Sequence, residues 1–134
     1  MSKIIEKIKK IPNLNCLKGC STSQIKDAQQ ELGLMFPDEY IDYVKEYGVI
    51  CFFGTEWTGL NVEGYLNTVE ATKQEKNVNS AFPEGFFVLE DMGIDSKMAV
   101  VNEKGNVFIL QRDKIELLCE SLSEYVDMCI ARKK

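Results

Sequence analysis

The amino-acid sequence predicts an α+β domain of N-terminal helices, an antiparallel β-meander sheet and a C-terminal helix. Three observations carry the prediction. Apolar residues recur three or four apart as far as Tyr47, four short apolar runs divided by turn-forming residues follow between 86 and 119, and an amphipathic segment opens on Ser121. A chain of 134 residues is one domain spanning residues 1–134, long enough to bury roughly two-thirds of its unfolded surface.

Ile4, Ile5, Ile8 and Ile11 make one face of a first helix, with Lys7 and Lys10 outside it and Pro12 ending it. "NLNCLKGC" then reads as an irregular connection. Ser21 with Gln24 forms a capping box, Ile25, Ala28 and Leu32 share the buried face, and Gly33 stands where a left-handed terminator is needed. Pro37 suits the first position of the next helix, where its missing N–H costs nothing, and Asp38 and Glu39 favour that positive end. Tyr40, Tyr43, Val44 and Tyr47 fall on one stripe, which predicts core tyrosines whose hydroxyls reach the rim, with Gly48 closing the helix.

After Gly48 the period changes: "VICFF" reads as a strand, "TEWTGL" as a turn around the single tryptophan and "NVEGYL" as a further strand-like run. Asn67 and Glu70 resemble a capping box for a short polar helix over 68–77. "FFVLE", "KMAVVN", "NVFIL" and "KIELLC", separated by short polar turns, make the meander. Ser121 and Glu124 cap the last helix, with Leu122, Tyr125, Val126, Cys129 and Ile130 inward.

Composition excludes a good deal. The chain holds no histidine, which removes the usual proton shuttle, triad base and commonest metal ligand together. Five scattered cysteines suit reduced thiols in packed segments, and their spacing lacks the close pairs of a zinc site, so neither metal nor cofactor is expected. The longest apolar run, Val49 to Phe53, is far too short to span a membrane. The opening "MSKIIEKIKK" is charged where a signal peptide is apolar, so a cytoplasmic location is expected.

Charge is lopsided. Residues 1–20 carry five lysines and one acid, Arg132, Lys133 and Lys134 add three positive charges, and residues 21–131 hold 8 basic and 20 acidic side chains, or 8 − 20 = −12. Such a body repels nucleic acid and attracts a basic protein, and it leaves a homodimer that buries part of the acidic surface open. Asp38, Asp42 and Glu46 stack at four-residue steps, an arrangement that folding does not ask for. With Glu56 and Trp57, and with Glu63, Asp91 and Asp95, they are the candidate partner-binding residues. Trp57 is either the anchor of that surface or the plug at one end of the core.

Ser21, Gln24, Ile25, Ala28, Leu32, Gly33, Phe36, Pro37, Tyr40, Tyr43, Val44, Tyr47 and Gly48, in this spacing, resemble the opening motif of the SUKH superfamily. That group contains the yeast cell-wall regulator family and many bacterial immunity proteins. The segments "FFGTEWTGL", "FFVLEDMG", "NEKGNVF" and "SLSEYV" look like its later landmarks in order, so the resemblance covers about residues 21–130. Gln29 stands where the pattern often has Glu, and Lys76 where many members have Arg.

The resemblance implies a SUKH-like fold and a non-catalytic antitoxin that binds and neutralises a cognate polymorphic toxin, a nuclease with a basic surface. An enzyme would have to work with Asp91, Asp95 or Glu56 as acid and base, whereas Asp91 and Asp95 suit a turn that satisfies local backbone groups. The alternative is an intracellular regulatory adaptor or scaffold of the same fold. Such regulators usually bear long disordered extensions, and no low-complexity tract is visible here.

Overall fold

The structure, a computed structural model, describes residues 3–132. Helix α1 (Lys3–Lys9) buries Ile4, Ile5 and Ile8. Strand β1 (Asn15–Lys18) follows where an irregular connection is expected from the sequence. All four of its side chains are exposed, so it exists through backbone pairing with a later strand and leaves no apolar trace in the sequence.

Helix α2 (Thr22–Leu32) has the complete capping box: the Gln24 N–H donates to Ser21 Oγ at 3.2 Å and the Ser21 N–H to Gln24 Oε1 at 2.8 Å. Gly33 ends it at φ 68°, a left-handed conformation that glycine adopts without a Cβ penalty. The Gly33 and Leu34 N–H groups both donate to the Gln29 carbonyl, and Gln29 Oε1 accepts from the Phe36 N–H at 2.8 Å. Gln29 therefore closes the corner from both its backbone and its side chain.

Helix α3 (Asp38–Glu46) begins one residue later than the sequence suggests, because Pro37 is extended at φ −69°, ψ 156° and serves as the N-cap. Tyr40, Tyr43 and Val44 are fully buried. Gly48 does not close the helix: strand β2 (Tyr47–Phe52) starts directly after Glu46, and Tyr47 is extended and only half-buried. The glycine is needed for a different reason. A Cβ on Gly48 would sit 2.4 Å from the Lys18 carbonyl oxygen of β1, and one on Gly59 would meet the Gly48 carbonyl at 1.7 Å.

Strand β3 (Thr55–Trp57) completes an antiparallel sheet of order β1-β2-β3. Helix α4 (Thr68–Val78) then leads to the meander β4 (Phe86–Asp91), β5 (Lys97–Asn102), β6 (Val107–Gln111) and β7 (Lys114–Cys119), paired in chain order. The four strands lie within a residue of their expected positions. The Thr58 N–H donates to the Leu89 carbonyl at 2.7 Å and so links the end of β3 to β4. The run 61–66, expected to be strand-like, is a loop.

The main core joins α1, α2, α3, the first sheet, the inner face of the meander and the closing helix α5 (Leu122–Ala131). A second cluster of Phe82, Val88, Met98, Val100 and Leu110, with Ala71 of α4 against it, lies on the other face of the meander. What α4 buries is Thr68 and Thr72. Thr72 Oγ1 accepts from the Val88 N–H at 3.0 Å, Thr58 Oγ1 donates to the Val88 carbonyl at 2.8 Å, and Thr68 Oγ1 donates to the Gly59 carbonyl at 3.0 Å. The tyrosine hydroxyls expected at the rim end in this threonine cluster instead: Tyr43 Oη donates to the Thr58 carbonyl at 2.9 Å, and Tyr40 Oη bonds the Thr68 hydroxyl. Burial raises the pKa of both phenols.

Helix α5 is tied down by residues far away in the chain. Lys7 Nζ reaches Asp127 at 2.6 Å and the Ser123 carbonyl at 3.1 Å. Ser121 caps the helix through the Glu124 N–H, and Glu39 Oε1 accepts from the Leu122 N–H at 2.7 Å, so the acid that sequence assigns to the start of α3 also serves the start of α5. Ile130 is half-buried, while the other four expected inner residues are buried. At the far end Arg132 Nη1 donates to Glu90 Oε2 at 2.9 Å and Nη2 to Tyr125 Oη at 2.8 Å. Tyr125 Oη in turn bonds Glu90 Oε1.

Trp57 is fully buried, stacked on Tyr125 at 5.8 Å and 15° and edge-on to Tyr43 at 5.3 Å. Of the two roles open to it, the surface anchor is corrected. Alternation in β3 turns Thr55 and Trp57 inward and Glu56 outward, so Trp57 plugs the core.

Candidate partner-binding site

The residues after Trp57 leave the first sheet, loop over 61–66 and return as α4, and the space between these segments and β4 is a groove of about 550 Å³. Val88 and Met98 of the second apolar cluster, with Ala71 packed against it, form its floor. Glu56 of β3, Glu70 and Glu75 of α4 and Asp91 at the end of β4 line it, and among the described residues no lysine or arginine does. Among the described residues none of these four carboxylates forms an ion pair.

Their hydrogen bonds are local. Tyr65 Oη donates to both Glu56 oxygens at 3.2 Å, and this contact raises the phenol's pKa. Asp91 Oδ1 accepts from the Gly93 N–H at 2.9 Å, the turn-satisfying role expected of it. Glu70 approaches the Gly64 N–H at 3.5 Å. The groove thus joins apolar lining residues to acidic ones that form no ion pair among the described residues.

Among the described residues no group of three or more His, Cys, Asp or Glu is placed to hold a metal ion. All five cysteines are free thiols; Cys20 and Cys129 are buried, and burial pushes the Cys129 thiol up to about 12. Cys16, expected in a packed segment, is exposed because β1 turns no face to the core. Among the described residues no helix is long and apolar enough to cross a membrane.

The corner at Gly33 and Pro37, the tyrosines of α3 and the meander lie together in one fold, and the family model described as SUKH_5, SMI1-KNR4 cell-wall, matches residues 1–131. The chain belongs to the SUKH_5 family. SUKH proteins are generally non-catalytic immunity proteins of polymorphic toxin systems. No curated protein matches this SUKH_5 chain significantly.

Of the candidate residues read from the sequence, the SUKH_5 fold brings Glu56 and Asp91 together in the groove. Glu63 is exposed in the loop that forms its lip, and Asp95 is exposed in the β4–β5 turn, where its carbonyl accepts from Gln111 Nε2 at 2.9 Å. Asp38 belongs elsewhere: it lines a separate cleft beside Glu39, Glu103 and Glu120. Asp42 is half-buried and Glu46 exposed along the same helix, and neither lines the groove. Lys133 and Lys134, part of the basic end, lie outside the described residues. Glu70 and Glu75 are the groove residues that sequence reading missed. Their signal was α4 itself, a helix too polar to be explained by packing.

Proposed function

We propose that this chain is a cytoplasmic immunity protein that binds a toxin with a basic surface, a nuclease, and blocks it by contact alone. The observation that carries the reading is the unpaired anionic rim of the groove on a chain of the SUKH_5 family. The acidic body supports it further. Carboxylates can occupy the positive surface with which a nuclease holds phosphates, and opposite fields speed encounter at low salt. Glu56, Glu63, Asp91 and Asp95 supply one contact region and Asp38, Asp42 and Glu46 a second, with Trp57 supporting them from the core. The partner is a protein; neither nucleic acid nor membrane is bound directly.

Co-expression tests the reading. Where the adjacent gene encodes a secreted protein with a nuclease-like C-terminal domain, this chain is expected to restore growth of cells making that domain and to co-purify with it. Neither rescue nor co-purification removes the reading for that pair. The cell-wall wording of the family description favours a second role, an intracellular regulatory adaptor. That role predicts altered wall-stress sensitivity on deletion in cells that carry no toxin.

A further inference from the structure

We propose that the groove between α4 and β4 receives one arginine side chain of the bound protein, its methylenes on the floor and its guanidinium at the rim. The proposal rests on the partner-binding reading and names the group that the partner inserts. Ala71, Val88 and Met98 offer an apolar base for an aliphatic stem, which long cationic side chains bury while keeping the head group polar. The rim disfavours anions and neutral apolar ligands, because Glu56, Glu70, Glu75 and Asp91 form no ion pair among the described residues.

Between the two long cations the arrangement favours arginine. The carboxylates come from three elements, β3, α4 and β4, and a planar fork with five donors can serve more than one acceptor, whereas an ammonium is a point charge. Tyr65 adds a second preference. The residue is 70% exposed at the lip, tethered by its hydroxyl to both Glu56 oxygens, and its ring offers a flat face on which a guanidinium stacks.

The test is amide chemical-shift mapping with the peptide acetyl-Gly-Arg-Gly-amide, alongside the same peptide carrying lysine or the uncharged isostere citrulline. The arginine peptide is expected to give saturable shifts centred on Tyr65, Ala71, Glu75 and Asp91 with a Kd on the order of 1 mM. Lysine should bind several-fold more weakly and citrulline should not bind. The double variant E56Q/E75Q should weaken the arginine peptide by about tenfold while its melting temperature stays level or rises, because it removes repulsion that folding does not use. Equal binding of citrulline, shifts that map elsewhere, or undiminished binding by E56Q/E75Q overturns the proposal.

The functional reading fails separately. A toxin neutralised equally well by wild type and E56Q/E75Q removes the arginine groove and leaves neutralisation standing. Saturable arginine binding by a protein that rescues no toxin-poisoned cell keeps the groove and removes the function.

Discussion

Removing the guanidinium at residue 132 should destabilise the protein far more than its place at the end of a helix suggests. The Glu90 carboxylate is only 4% exposed and receives Arg132 Nη1 at 2.9 Å, while the Arg132 side chain is 37% exposed. Breaking a buried pair from one side typically costs about 3–5 kcal/mol, because the remaining charge stays out of water. Here water can follow into the gap from the exposed side and Tyr125 still bonds Glu90, so Arg132→Ala is expected to cost about 2–3 kcal/mol, at or below the lower bound of that range. For a domain of this size that lowers Tm by about 6–15 °C. Urea unfolding followed by circular dichroism reads the loss directly, with the slope unchanged. The double variant Glu90→Gln/Arg132→Ala should recover at least about 1 kcal/mol relative to Arg132→Ala, since a neutral amide needs no counter-charge. A loss below about 0.5 kcal/mol, the size of an exposed pair, with no recovery in the double variant would refute the reasoning.

Trp57→Ala should cost about 3–5 kcal/mol in urea unfolding, as expected for a large aromatic wholly inside the core; unchanged stability with lost partner binding would return Trp57 to the surface role. Gly59→Ala forces a Cβ to within 1.7 Å of the Gly48 carbonyl and should leave little folded protein in a soluble-expression and circular-dichroism comparison; a wild-type spectrum and melting curve would contradict it. Alkaline stability follows from burial. The Cys129 thiol is held up to about 12, and the hydroxyls of Tyr40, Tyr43 and Tyr125 are also held above their ordinary value, so the unfolded chain releases these protons first. Stability should therefore be retained below about pH 9 and fall above it, by roughly 1.4 kcal/mol per pH unit for each titrating group. Urea midpoints measured across that range check this, and Cys129→Ala should delay the onset of the fall; a midpoint level to pH 11 would count against it.

The meander and the α2–α3 corner were legible because their determinants are local. Ser21 and Gln24 cap each other, Gly33 supplies its own left-handed turn, and each strand of the meander carries its own apolar run between turn residues. Strand β1 was not legible, since nothing in Asn15–Lys18 is buried and its pairing partner lies some thirty residues away. Strand β3, at three residues, is too short for alternation to register, which is why Trp57 read as part of a turn. The junction after Glu46 misled because Gly48 looks like a helix terminator while its real task is to let β1 approach. At the candidate site Glu56 and Asp91 were visible as candidates, but Glu70 and Glu75 were not. The grouping was hidden because Glu56, Glu70 and Asp91 come to line one groove only after β3, α4 and β4 have packed, and nothing in the neighbourhood of Glu90 announces Arg132 as its partner.

The groove divides its residues by obligation. Val88 and Met98 belong to a shared apolar cluster and cannot change without repacking their neighbours, whereas Glu75 forms no ion pair among the described residues. On the proposed reading, substitution at such a position would alter what the surface recognises while leaving the scaffold's thermodynamics nearly untouched. A lineage under pressure to follow a changing opponent would thus find its mutational freedom concentrated where recognition is decided.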